Sequence, residues 1–140
     1  KYPSIDEEIA IVKATTSDHK PEIEALFNAE EIVAVQHLIR RIPVPDNVVN
    51  YAVQLVNSTR PNLDTATEYV KQYLDWGAGP RASQNLILGA KAHAAINGKF
   101  SPDIEDVKAI ALGILRHRII KNYKAEAEGI SEDEIISKLL

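Results

Sequence analysis

The residues with the clearest chemical meaning are Trp76-Gly77-Ala78-Gly79-Pro80-Arg81-Ala82-Ser83. Two glycines allow a backbone to approach something closely. Pro80 suits the first position of a helix, where its fixed φ helps and its missing N–H costs nothing. Arg81 then falls in the first turn, beside the partial positive charge of the helix N-terminus, which is a poor place for a cation. An anion bound there removes the conflict, because free backbone N–H groups and the guanidinium converge on it. The planar fork of arginine matches a phosphate with two parallel hydrogen bonds. A surface arginine near a helix start costs only ~0.3–1 kcal/mol, so solvent or a nearby carboxylate accounts for Arg81 as well.

Other chemistry is missing from the sequence. No Walker A sequence is present to cradle nucleotide phosphates. His19, His37, His93 and His117 lack metal-ligand spacing, so no metal site is expected. No serine stands in a nucleophile-elbow sequence. Acidic pairs such as Glu7-Glu8 and Glu30-Glu31 fall near helix starts, where helix-end electrostatics explains them. Tyr51, Tyr69, Tyr73 and Trp76 read as core or interface aromatics. Cysteine is absent, which excludes disulfides and thiol chemistry and is compatible with a cytoplasmic location.

The elements that must position Arg81 are helical. Ser4 with Glu7 forms a capping box for a first helix carrying Ile5, Ile9 and Val12, and Thr15 to Pro21 breaks its pattern. Asn28 with Glu31 opens a second helix, with Ile32, Val35, Leu38, Ile39 and Ile42 at helical spacing before Pro43 and Pro45 stop it. Asp46 is expected to cap a third, carrying Val48, Val49, Ala52, Leu55 and Val56 and ending near Arg60-Pro61. Residues 61–79 are irregular, and Tyr69 to Leu74 fit a short strand or a helical turn.

Pro80 starts a fourth helix that ends at Gly98, a left-handed stop. Ser101 is expected to cap a fifth helix with Pro102 in its first position. Ile104, Val107, Ile110, Ala111 and Ile114 make its apolar stripe. Ser131 with Glu134 caps a last short helix ending at Leu140, with Ile135 and Ile136 among its apolar residues. The pattern predicts an all-α fold, a mostly helical bundle with room for a short strand pair. A boundary near 61–76 would divide it into two subdomains.

At 140 residues, 45% hydrophobic and 26% charged, the chain has a globular composition and enough length for a core. No apolar run approaches the ~20 residues of a membrane span. The start, Tyr2-Pro3-Ser4, reads as the end of a connection within a longer chain. The net charge of −4 argues against a nucleic-acid binder. A helix-turn-helix over 81–124 would fit the Gly98-Lys99-Phe100 turn, but its fifth helix is poor in basic residues. Residues 81–124 nonetheless hold eight Lys/Arg against three Asp/Glu, which suits a local anion or acidic partner as well as solvated helix faces.

Gly77-Ala78-Gly79-Pro80-Arg81-Ala82-Ser83 resembles the sensor-2 motif of MoxR-type AAA+ ATPases, usually Gly-Ala-Ser-Pro-Arg-Ala, with Gly79 in place of the serine. Tyr2-Pro3-Ser4 with Glu7-Glu8-Ile9 is similar to the family's link from ATPase core to lid. Tyr51, Leu55-Val56 and Thr59-Arg60 resemble its Tyr…Leu-Val…Thr-Arg helix. Ser101-Pro102 with Glu105-Asp106-Val107-Lys108, Leu115-Arg116-His117-Arg118-Ile119, and Ala125-Glu126-Ala127-Glu128-Gly129 resemble later segments. The resemblance covers nearly the whole chain.

It implies that residues 1–140 are a C-terminal AAA+ lid without the ATPase core. In that role Arg81 would meet the terminal phosphate of a nucleotide, with Gly79 and Pro80 beside it. ATP and Mg²⁺ would be held by the core, and none by the lid alone, which would have no turnover of its own. Arg116, His117 and Arg118 would contact the core or a neighbouring subunit, although cations near a helix C-terminus are also explained by the helix dipole. Family members form homo-oligomeric rings, commonly hexamers. They act in chaperone-like remodelling or metal-cofactor insertion, often with von Willebrand factor A domain proteins. The alternative is a stand-alone helical protein–protein interaction module.

Overall fold

A computed structural model describes residues 2–18 and 24–140. His19 and Pro21 lie outside the described residues. The chain separates into two compact units, Lys1–Ile32 and Val33–Leu140. Residues 61–76 fall inside the second.

The first unit holds α1 (Ile5–Thr15) and the opening residues of α2 (Ala29–Arg41). Ser4 and Glu7 form the expected capping box, with the Ser4 N–H donating to the Glu7 carboxylate at 2.7 Å. That contact, with the Ser4 hydroxyl, lowers the Glu7 pKa. Asn28 and Glu31 exchange the same pair of bonds at the start of α2, at 2.8 and 2.9 Å. Neither helix buries a residue. Ile5, Ile9 and Val12, which share one face of α1, are exposed, as are Ile32, Val35 and Leu38 farther along. Their spacing marks an apolar face, but no partner covers it among the described residues.

The second unit contains α3 (Asp46–Ser58), α4 (Glu68–Tyr73), β1 (Leu74–Trp76), α5 (Pro80–Ile96), α6 (Ile104–Leu115), β2 (Ile120–Lys121), α7 (Tyr123–Ala127) and α8 (Glu132–Ser137). It is helical apart from the antiparallel β1–β2 pair, in which Leu74 faces Lys121 and Trp76 faces Ile120. Of the two forms open to residues 69–74, the helical one is found over residues 69–73, and only Leu74 belongs to the strand that follows.

The core lies where α5 packs on α3 and α6. Small residues make this close: Ala82, Ala90 and Ala94 are fully buried. A Cβ on Gly89 would sit 3.2 Å from Ile114 Cδ1 and 3.3 Å from Ile110 Cδ1. Val48, Ala52, Leu55 and Val56 of α3 are buried as their spacing predicts, whereas Val49 is exposed. Ile135 and Ile136 close the far end of the core.

Three helix starts differ from expectation. Pro45, without a side-chain bond, stands at the cap of α3, and Asp46 is its first helical residue. Asp103, not Ser101, caps α6, while the Ser101 hydroxyl donates to the Pro43 carbonyl at 3.2 Å. Ser131 caps α8, but the Glu134 carboxylate accepts from the Tyr69 hydroxyl at 3.2 Å.

Candidate functional site

The loop before Arg81 is held by the end of α3. Thr59 is fully buried, and its hydroxyl donates to the Val56 carbonyl at 2.7 Å and accepts from the Ala78 N–H at 2.9 Å. Arg60 Nε donates to the Ala78 carbonyl at 2.9 Å, and its terminal nitrogen donates to Asn57 Oδ1 at 2.7 Å. Both polar groups of Ala78 are thus bound by two consecutive residues. The backbones approach so closely that a Cβ on Gly77 would lie 2.4 Å from the Thr59 carbonyl oxygen and 2.6 Å from Arg60 Cα. Gly79 is different. Its backbone is extended, and nothing lies within 4 Å of where its Cβ would be. Of the two glycines, only Gly77 serves the close approach.

Gly79 caps α5 without a side-chain bond, Pro80 takes the first turn as expected, and the Ala82 N–H donates to the Gly79 carbonyl at 2.9 Å. No acidic residue occupies that first turn. Arg81 is exposed and lines a pocket of about 760 Å³ between the end of α2, α3 and α5. Val49, Val53 and Leu88 give it apolar walls, and no Asp or Glu lines it. Gly79 and Pro80 line a different hollow with Trp76, which is 67% exposed. Trp76 is therefore a surface residue and not part of the core.

Arg116, His117 and Arg118 line neither hollow. Arg116 makes a bidentate bond to the Asp133 carboxylate at 3.0 and 2.7 Å, joining the end of α6 to the start of α8. Arg118 donates to the Ile114 carbonyl and touches the His117 ring. Both cations thus have partners within the chain, in line with their place at a helix C-terminus.

A buried charged cluster went unread in the sequence. Asp106 is 1% exposed. Its carboxylate accepts from the Asp103 N–H at 2.9 Å and from Lys99 at 3.1 Å, and it lies 2.7 Å from His93 Nδ1. Burial pushes this carboxyl up, but the Asp103 amide, His93 and Lys99 outweigh it and hold the pKa at about 2. The cluster fastens the end of α5 to the start of α6. No group of three metal-binding side chains occurs among the described residues.

Comparison with known proteins adds family-level information. Residues 66–139 match the model of the AAA lid domain. The chain is 29% identical over 139 residues to the chaperone MoxR1 of Mycobacterium tuberculosis, covering 99% of this chain and 37% of that protein. It is 24% identical to the uncharacterized protein YeaC of Bacillus subtilis, covering 41% of that protein. A provisionally assigned ATPase from Cytophaga hutchinsonii, known from its crystal structure, matches with a TM-score of 0.82 at 30% identity. That match covers 99% of this chain and 42% of the other. The chain thus spans about two-fifths of the length of these relatives.

Proposed function

Since the chain belongs to the AAA lid domain family, with MoxR-type ATPases among its relatives, we propose that it is the nucleotide-sensing lid of such an ATPase. Arg81 meets the terminal phosphate of an ATP whose Mg²⁺ and other phosphate contacts belong to an ATPase core in the same polypeptide. The observation that carries this reading is the guanidinium itself. It stands in the first turn of a helix that has no acidic residue there, and it faces a pocket with no carboxylate. A triphosphate presents it with more negative charge than a diphosphate does. Only a ligand that binds two orientations of a lid unequally can shift it between them. In this reading the full protein works in a homo-oligomeric ring, a hexamer, on chaperone-like remodelling or metal-cofactor insertion. A von Willebrand factor A domain protein is the kind of partner expected.

The test is Arg81→Ala in the full-length ATPase. ATP turnover should fall by about tenfold or more, the scale of one lost charged hydrogen bond of ~1.5–3 kcal/mol, with the thermal midpoint of the lid unchanged. Undiminished turnover would remove the sensor role.

The exposed apolar faces of α1 and α2 also suit a stand-alone interaction module. The two readings separate on the gene: a Walker A sequence encoded about 200 residues upstream, roughly one domain's length, favours the lid.

A further inference from the structure

Arg81 is not the sole cation in its pocket. Arg40, in the last turn of α2, lines the same 760 Å³ space. Among the described residues neither guanidinium has a hydrogen-bond or carboxylate partner, and the same holds for Arg41, whereas those of Arg60, Arg116 and Arg118 are all bound; what sets Arg40 and Arg81 apart is the pocket they share. The C-terminus of a helix tolerates a cation, but that does not explain which way it faces. Arg41, next in the chain and equally favoured by the helix end, lines no part of this pocket. The end of α2 is also tied to α5, because Lys91 Nζ donates to the Arg40 backbone carbonyl at 2.9 Å.

Two like charges in a pocket without an acid repel each other. A single carboxylate would neutralise one of them, whereas a polyphosphate neutralises both. Along α5, Arg81 and Leu88 are two turns apart, a rise of about 10 Å. Arg40 lies beside Leu88, with which it also lines an adjoining hollow that includes Val35 and Ala92. The two arginines therefore enter the pocket at separate points and meet different parts of one extended anion.

We propose that Arg40 is a second phosphate-binding residue, holding the inner phosphates of the nucleotide whose terminal phosphate Arg81 reads. This rests on the lid reading given above. Inner phosphates are common to ATP and ADP, so Arg40 supplies affinity and Arg81 supplies discrimination.

The experiment measures Kd for ADP and for a non-hydrolysable ATP analogue on the full-length protein, in wild type and in the Arg40→Ala, Arg40→Lys, Arg41→Ala and Arg81→Ala variants. Melting curves confirm that each is folded. Arg40→Ala should weaken both nucleotides by about tenfold or more, Arg40→Lys should restore part of that loss, and Arg41→Ala should change neither. Arg81→Ala should weaken the ATP analogue more than ADP. If Arg81→Ala acts in this way and Arg40→Ala leaves both affinities intact, the inference about Arg40 fails while the lid reading stands. If neither substitution alters binding, both fail.

Discussion

Gly77 and Gly79 look alike in the sequence but have opposite consequences for substitution. A methyl on Gly77 would be driven into the Thr59 carbonyl. Gly77→Ala should cost about 1–3 kcal/mol, the range for forced overpacking, and lower the melting temperature by several degrees. Gly79 has open space and an extended backbone that serine adopts freely. Gly79→Ser should add a helix cap and raise stability by about 0.5 kcal/mol, visible as a small upward shift in a thermal melt. A loss of stability in Gly79→Ser would show that the serine hydroxyl does not reach the open amides of the first turn of α5. The sequence exposed Arg81 because a cation in a first turn conflicts with the helix field. It could not rank the glycines, since the need for Gly77 is created by Thr59 and Arg60 on another helix. Arg40 carries no local signal, since a cation in the last turn of a helix is what the helix dipole favours.

At the level of elements, caps were legible where the motif was self-contained. Ser4 with Glu7 and Asn28 with Glu31 satisfy each other across three residues, so the local sequence sufficed. At the start of α6, Ser101 and Asp103 compete for the cap. The outcome depends on Asp106, whose carboxylate completes the box with Asp103 while binding Lys99 and His93. His93 comes from the preceding helix, so no local pattern reveals it.

The low pKa of Asp106 has a definite acid signature. A carboxyl held at about 2 in the fold and near 3.9 when unfolded stabilises the chain above the higher value. It loses that contribution as pH falls toward the lower one. Thermal midpoints should therefore drop between pH 4 and 2. Asp106→Asn should be less stable at neutral pH by about 2 kcal/mol and show a shallower drop over that acid window. An equally steep acid limb in the variant would mean other carboxyls govern it.

For the molecule as a whole, composition and periodicity indicated a mostly helical fold with room for a short strand pair. They did not tell a face that packs from a face that waits. α1 and α3 both carry helically spaced apolar residues, yet α3 buries four and α1 none. The difference is one of partners: α3 meets α5, whose alanines let the backbones come close. Hydrogen exchange on the isolated chain should separate the two. Amides of α1 should exchange fast, and those around Leu86, Ala90 and Ala94 should be the slowest. Comparable protection in α1 would show that its apolar side is covered in solution.

The grip of Thr59 and Arg60 on Ala78 has a mechanical result. Because the peptide groups flanking Ala78 are pinned through both a donor and an acceptor, the first turn of α5 cannot swing without dragging the last turn of α3. A displacement of that first turn would therefore be passed to α3 through two hydrogen bonds rather than absorbed in the loop between the helices.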